Sequence, residues 1–418
     1  MKKIAIMHYA YPPNIGGVEI LVKEQANILT KLGYQVTVLT GEGEESNPKI
    51  KLIKIPEFQS ILNINPNLQN NIIEKGIIDD EFYRMSKKIE EILAENLKEI
   101  DTVIIHNMLT VYRNLPFIYA FRKYIKKNPN KKVIVWVHDH MYIGEEKVKT
   151  LFLEKKDTTG KTLGKNQLEI ELLTHSLPQA KYIIISETFK NLLLQVMSIP
   201  KENVYVIPNG IDLKKILEID RIIWKIVENH QLLKAFPFII SPVNILERKN
   251  IEYSLEIIWW LKKDFPNIKY LITGRLSKHR NTTNYLIKLE QLINKLKIQD
   301  EVIFLQKEIK RALENSEIHD LYSLSDLIFY FSKSENFGLP ILEAALTKTP
   351  IFISNLKVFY EVIDDLVNFI DYNNTNPKKA SEIIKSFIEK NKIIKSNYLV
   401  RTKYDLETII KNELIPLL

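Results

Sequence analysis

Short apolar runs alternate along the chain with longer stretches in which apolar residues recur at helical spacing. That alternation predicts α/β units on parallel sheets. The first runs lie at residues 3–8, 35–39, 101–106, 132–138, 181–186 and 204–208, and read as the strands of one doubly wound domain. A loop with Pro12, Pro13, Gly16 and Gly17 follows the first strand; residues 18–32 then carry a helical pattern, with Gly33 as its stop. A second series of strands is expected at 238–241, 270–273, 302–305, 327–330 and 351–354, with helices notably at 251–263 and 283–296. The stretch 213–236 is helical and charged and is placed to join two domains, and 404–414 reads as a terminal amphipathic helix before Pro416. The expected division is therefore 1–213, 214–402 and a terminal helix at 403–418. No short repeat or low-complexity tract interrupts it, and the polar, basic stretch 144–165 reads as a mobile loop.

Composition narrows the class. A chain of 418 residues suits two domains, and 45% hydrophobic with 26% charged residues is the balance of a water-soluble globular protein. No apolar run approaches the roughly 18 residues of a membrane span. The opening Met1-Lys-Lys-Ile-Ala-Ile is too short in apolar length for a signal peptide, so a cytoplasmic protein is expected. The chain has no cysteine, which excludes disulfides, thiolate metal sites and cysteine nucleophiles. A net charge of +8 favours anionic partners: a nucleotide diphosphate, a phosphorylated acceptor or an acidic membrane face. The lysines are dispersed, so nucleic acid is not expected as a partner; peripheral membrane contact is left open and nothing indicates it.

The densest chemistry is the segment Glu335-Asn-Phe-Gly-Leu-Pro-Ile-Leu-Glu343. A strand ends in a polar stretch, Gly338 and Pro340 punctuate the chain, and a helix begins. Proline suits a first helical position because its missing N–H is not needed there. Free N–H groups and the helix dipole at such a place attract anions such as pyrophosphate. Glu335 in the loop and Glu343 one turn into the helix are poor ligands for phosphate. They are suited to accept hydrogen bonds from hydroxyls, one set on a sugar and one on a ribose.

This segment resembles the E-x7-E signature of retaining glycosyltransferases of family 4 with the GT-B fold. Other positions match in the same order: Asn14-Ile-Gly16-Gly17-Val-Glu19, Val137-His138-Asp139, Val206 to Asp212, Arg248-Lys249-Asn250, and Ser325-Asp-Leu-Ile-Phe. The resemblance covers roughly residues 1–360. It implies two Rossmann-like domains across a cleft, an acceptor-side domain first and a nucleotide-sugar domain second, with the terminal helix packing back on the first. It implies that Glu343 holds the ribose and Glu335 the sugar hydroxyls. The backbone of Asn336, Phe337, Gly338 and Leu339 would line sugar and phosphate. Lys249, with Arg248, would neutralise the diphosphate. Gly16 and Gly17 would let backbone approach the phosphates, and His138 would lie beside the sugar at the reaction centre. His106 and Asn107 follow a strand and stand to meet the acceptor, and Tyr11 is grouped with them. The resemblance also implies retention by same-face attack, with the leaving phosphate taking the acceptor's proton.

One position departs from the family pattern. An arginine is expected five residues before Lys249, and the chain has Asn244. A neutral amide does not replace a guanidinium fork; Arg248 or Arg275 is then expected to supply the charge. Asn244 is also the best argument for a non-catalytic nucleotide-sugar-binding protein. No D-x-D occurs, so no metal is expected even at His138, Asp139 and His140. No cofactor is required beyond the nucleotide-sugar co-substrate, GDP-mannose or UDP-glucose. The segment 106–116 with Arg248-Lys249-Asn250 resembles the subgroup that mannosylates glucosylglycerate or its 3-phosphate. GDP-mannose and a small anionic acceptor are therefore expected. The alternative is a UDP-sugar-dependent glycan or cell-envelope transferase. A phosphorylase is disfavoured for want of a lysine motif for pyridoxal phosphate. Trp136, Trp259 and Trp260 are expected in the core, and His8 and Glu19 at a strand end and a helix face.

Overall fold

The computed structural model describes residues 2–13, 16–73, 75–143, 167–274 and 280–418. Asn14, Arg275 and the stretch 144–165 lie outside the described residues. The chain divides into two compact units: Met1–Asp212 with Tyr404–Leu418, and Leu213–Lys403.

The first unit is built on seven parallel strands in the order β3-β2-β1-β4-β5-β6-β7. They are β1 (Lys3–Ala10), β2 (Gln35–Glu42), β3 (Lys51–Lys54), β4 (Thr102–His106), β5 (Lys132–Val137), β6 (Ala180–Ile184) and β7 (Val204–Val206). Alternate residues of a strand face opposite ways, and the core shows it. Ile4 and Ile6 pack with Leu21, Val22 and Leu29 of the helix Gly17–Lys31. Ala5 and Met7 pack with Phe82, Phe117 and Phe121 on the other face. The strand order reverses between β1 and β4, and a crevice opens at such a switch point beyond the strands' carboxyl ends.

Residues 404–418 return to this unit. A single helix was expected at 404–414, but the segment is a short α-turn Leu406–Ile409, a π-turn Ile410–Leu414 and a 3-10 turn Ile415–Leu417. Asp405 starts it by accepting a hydrogen bond from the Thr408 amide at 3.0 Å, and Leu406, Ile409, Ile410 and Leu414 bury themselves beside Ile4, Ile6 and Trp136.

The second unit has six parallel strands ordered β10-β9-β8-β11-β12-β13. They are β8 (Phe238–Ser241), β9 (Lys269–Ile272), β10 (Val302–Phe304), β11 (Leu327–Tyr330), β12 (Ile351–Ser354) and β13 (Asn368–Ile370). Its switch point falls between β8 and β11. The edge strands β3 and β13 were not anticipated; both are short and only partly buried. The stretch 213–236 is helical as expected and opens the second unit, with Ile223, Trp224, Ile226 and Val227 of the helix Arg221–Asn229 in the second core. Trp136 is buried as expected. Trp259 and Trp260 are only half-buried, with the Lys263 ammonium 4.1 and 3.6 Å from their ring centres.

Candidate functional site

In the second unit the chemistry collects where β8 and β11 end. β11 is wholly buried and continues through Phe331 and Ser332 into the loop that carries Glu335. Gly338 turns the chain with φ 111°, a conformation open to glycine. A Cβ there would meet the Phe359 ring at 2.9 Å. The helix Leu339–Leu346 follows, with Pro340 in its first turn.

The loop after β8 meets this one. Lys249 ends a 3-10 turn, Glu247–Lys249, and Asn250 next to it has φ 54°. The amide of Lys333 donates to the Arg248 carbonyl at 2.7 Å, and Arg248 Nη1 donates to the Ser334 carbonyl at 3.1 Å. So fastened, the two loops put the Glu335 carboxylate between two cations: Lys249 Nζ in direct contact and Arg248 Nη1 at 3.1 Å. The Tyr330 hydroxyl lies 3.4 Å from Lys249 Nζ. Burial opposes ionisation of Glu335, but hydrogen bonds from Lys249 and Arg248 outweigh it and hold the carboxyl below its usual range. Burial likewise lowers the Lys249 ammonium, against the pull of Glu335. Two cations against one carboxylate leave one net positive charge beside a helix N-terminus, which suits an anion.

Glu343 lies half-buried one turn into that helix, where its carboxylate accepts the Tyr322 hydroxyl at 2.7 Å. Phe337 and Leu339 are exposed, as is Asn336. Asn244 is exposed on the loop after β8. Gly274 lets that loop pass close: a Cβ on it would fall 1.9 Å from the Val243 carbonyl oxygen. Lys249, Arg248, Glu335 and the helix start are thus gathered in one place, and Tyr322 and Tyr330, which no motif marked, support them.

In the first unit the candidates gather where β1, β4 and β5 end. His106 is fully buried, with Nε2 2.9 Å from the Gln25 amide oxygen and Nδ1 3.0 Å from His138 Nε2. Asn107 has φ 59°, and its side-chain oxygen accepts the amides of His138 at 3.1 Å and Asp139 at 2.8 Å. The Tyr11 ring is buried as well. Direct acceptor contact by the side chains of Tyr11 and His106 therefore does not fit this conformation: one fills the core and the other braces His138.

Gly16 is extended and precedes the helix Gly17–Lys31; a Cβ on it would meet the Glu19 carboxylate at 2.0 Å. Glu19 folds back there and pairs with His8 Nε2 at 3.5 Å, and the His8 hydrogen bond chiefly lowers its pKa. Gly17 faces open space. His140 is committed elsewhere: its Nε2 donates to the Leu173 carbonyl at 3.0 Å and its Nδ1 accepts the Tyr142 amide at 3.1 Å. Among the described residues no group of three His, Asp or Glu is placed to hold a metal ion.

Residues 15–215 match the family model described as Glycosyltransferase Family 4, and residues 222–404 match Glycosyl transferases group 1. Both halves are glycosyltransferase domains. Two Rossmann-like lobes, each with its own doubly wound sheet, are the make-up of a GT-B glycosyltransferase. This glycosyltransferase is 26% identical over 239 residues to the O-antigen chain mannosyltransferase RfbU of Salmonella typhimurium, spanning 56% of the chain and 59% of that relative. It is 22% identical over 376 residues to the mannosylglucosylglycerate synthase of Thermotoga maritima, covering 85% of the chain and 81% of that relative. Among solved structures, a glycosyltransferase from Rickettsia africae aligns over 100% of this chain and 97% of its own, at 18% identity and a TM-score of 0.36. No helix among the described residues is long and apolar enough to cross a membrane.

Proposed function

We propose that this glycosyltransferase moves a hexosyl group from a nucleotide-sugar donor to an acceptor hydroxyl with retention of anomeric configuration. The observation that carries the reading is the Glu335 carboxylate clasped by Lys249 and Arg248 at the start of the helix that bears Glu343. The two cations and the helix N-terminus stabilise the diphosphate as the glycosidic C–O bond breaks and its electron pair passes to the phosphate oxygen. The acceptor oxygen bonds the anomeric carbon from the same face, and its proton passes to the departing phosphate. Glu335 takes sugar hydroxyls while remaining paired to Lys249. Glu343 takes a ribose hydroxyl on the oxygen that Tyr322 does not use. Gly16 and Gly17 lie along the diphosphate, and His138 beside the sugar, braced by His106 and Asn107. Arg248 replaces the charge that Asn244 does not provide.

For the acceptor, the O-antigen relative favours a glycan of the cell-envelope kind. A small anionic acceptor of the glucosylglycerate type is the second reading, favoured by the mannosylglucosylglycerate synthase that matches over most of both chains. The deciding experiment is a thermal-shift and turnover panel of GDP-mannose, UDP-glucose, UDP-N-acetylglucosamine and ADP-glucose with each acceptor class. Release of a nucleoside diphosphate that depends on acceptor supports transfer. Binding of a donor with no turnover on any acceptor would leave the non-catalytic reading standing, and an inverted product by NMR would sink retention.

A further inference from the structure

His8, His106 and His138 follow Ile6, Ile104 and Trp136 by two residues at three adjacent strands of the first unit, His138 one residue past the end of β5. Strand alternation turns all three to one face. It is the face packed by the helix Gly17–Lys31, since Ile6, Ile104 and Trp136 share a core with Leu21 and Leu29. Among these apolar residues the helix presents one fully buried amide, Gln25. A continuous line results: the Gln25 oxygen is 2.9 Å from His106 Nε2, and His106 Nδ1 is 3.0 Å from His138 Nε2. The Trp136 and His138 rings lie nearly parallel to His106, with centres 5.2 and 5.3 Å from it, and 6.2 Å from each other. The line ends at His138 Nδ1, a buried atom with no hydrogen-bond partner among the described residues.

Burial keeps both rings neutral, with His106 held well below the usual histidine range and His138 lowered to about 3. A neutral imidazole has one donor and one acceptor. The two rings must then agree. If both carry the proton on Nε2, His106 donates to the Gln25 oxygen, accepts from His138, and leaves His138 Nδ1 as a bare acceptor. If both carry it on Nδ1, the Gln25 amide must turn over to donate, and His138 Nδ1 becomes a donor. Any mixed pair sets two lone pairs or two hydrogens against each other. With the Gln25 oxygen facing His106, the first arrangement satisfies both rings, and Gln25 Nε2 is left without a partner among the described residues. The nearby charges do not compete with this arrangement: His8 Nδ1 donates to the His106 carbonyl at 2.9 Å, and its other nitrogen faces Glu19.

We propose that Gln25 and His106 are positioning residues that fix the proton of His138 on Nε2 and so present Nδ1 to substrate as an acceptor. This rests on the reading of His138 as the residue beside the transferred sugar. An acceptor at that nitrogen would take a hydrogen bond from a sugar hydroxyl, and a donor there would not. The relay thus selects how the sugar is held from a group that never touches it.

The test is 15N NMR of the full chain labelled at histidine, with the His138 signals identified by their loss in His138→Gln. The expected wild-type result is His106 and His138 both neutral and both protonated on Nε2. Gln25→Met keeps the side-chain length and removes the amide; His138 should then show both tautomers, with kcat/KM for the donor falling about tenfold. Gln25→Glu, whose carboxylate can only accept, should restore the Nε2–H form and most of kcat/KM. His106→Asn is the second variant, and it too should release the His138 tautomer. Opposite tautomers in the wild type, or His138 signals unmoved by Gln25→Met and His106→Asn, would overturn the proposal. The NMR result needs no donor. If no nucleotide sugar is turned over at all, the transferase reading fails, and the relay is still judged on its own spectra.

Discussion

Lys249 and Glu335 form a close ion pair although 86 positions of chain separate them. Each arrives on a loop at the carboxyl end of a different strand, and the fold's switch point brings the two loops together. The pair is mostly shielded, with side-chain exposures of 9% and 10%. A pair so placed is sensitive to removal of one partner, because the other is left uncompensated. Lys249→Met should therefore cost both function and stability. We expect kcat to fall by about 100- to 1,000-fold, the range for losing one preorganised charge at a developing anion. Glu335→Gln should retain more stability than Lys249→Met, because an amide can still fill the space. Steady-state kinetics and thermal melts of the two variants check this, and equal melting temperatures would contradict it.

Tyr322 and Glu343 offer a second measurement. The 2.7 Å hydrogen bond ties the carboxylate to a hydroxyl whose own ionisation burial and Glu343 push far up, so the tyrosine remains a donor. Glu343→Gln should raise the donor KM about tenfold, the worth of one charged hydrogen bond to a ribose. Tyr322→Phe should raise it less, by freeing the carboxylate to rotate. Because the two act on one oxygen pair, the double variant should fall short of the product of the single effects. Multiplying effects in a double-mutant cycle would show that Tyr322 does not orient Glu343.

Much of this was legible in the sequence, for identifiable reasons. Buried parallel strands such as β4 and β11 are continuous apolar runs, so they stood out, and glycine and proline marked the turn at Gly338 and Pro340. The edge strands β3 and β13 bury too little to leave that pattern. The site's second layer was hidden differently. Tyr322 lies in a helix core like any aromatic residue, and nothing local tells that its hydroxyl meets Glu343. Gln25 could have been found: it is a polar residue four positions after Leu21 on the helix face that also carries Val22 and Leu29, and an unpaired amide does not belong there. The even spacing of His8, His106 and His138 from their strands' inward residues was a further signal. His106 was placed on the acceptor because it ends a strand, but strand parity turns it, with Ile104, into the core; Tyr11, just past β1, is buried in the same core beside Ile4 and Ile6.

The buried histidines predict the direction of acid sensitivity. His106 and His138 are held below their usual value, His138 to about 3, chiefly by burial. In the unfolded chain they titrate near pH 6.5. Below that pH the unfolded state takes up protons that the folded state refuses, so stability falls as pH falls. The slope should be up to about 1.4 kcal/mol per pH unit for each histidine. Glu335 adds loss only lower down, because its depressed carboxyl contributes stability above the ordinary carboxylate range and gives it up as pH falls through the folded value. Melting temperature against pH should thus decline from about pH 6.5 downward, and His138→Gln should flatten the upper part of that decline. A wild-type curve level between pH 6.5 and 5 would contradict the neutral relay.

Arg401 and Asp326 fix the base of the second unit. Arg401 Nη2 meets Asp326 Oδ2 at 2.6 Å and also donates to the Ala235 carbonyl at 2.8 Å, while the Phe238 amide donates to the same carboxylate at 2.7 Å. The side chains are 6% and 2% exposed. One ion pair thereby ties the helix Lys392–Lys403 to the entry of β8 and the start of β11, the two strands whose far ends carry Lys249 and Glu335. Burial raises the Asp326 carboxyl and Arg401 opposes that rise, so the aspartate depends on its partner. Arg401→Met leaves a buried, unbalanced carboxylate and should cost about 3–5 kcal/mol of stability. Adding Asp326→Asn removes the orphaned charge while an amide can still accept from the Phe238 N–H, and should recover part of that loss. Denaturant unfolding of the single and double variants measures both, and a double variant less stable than Arg401→Met would refute this account of the pair.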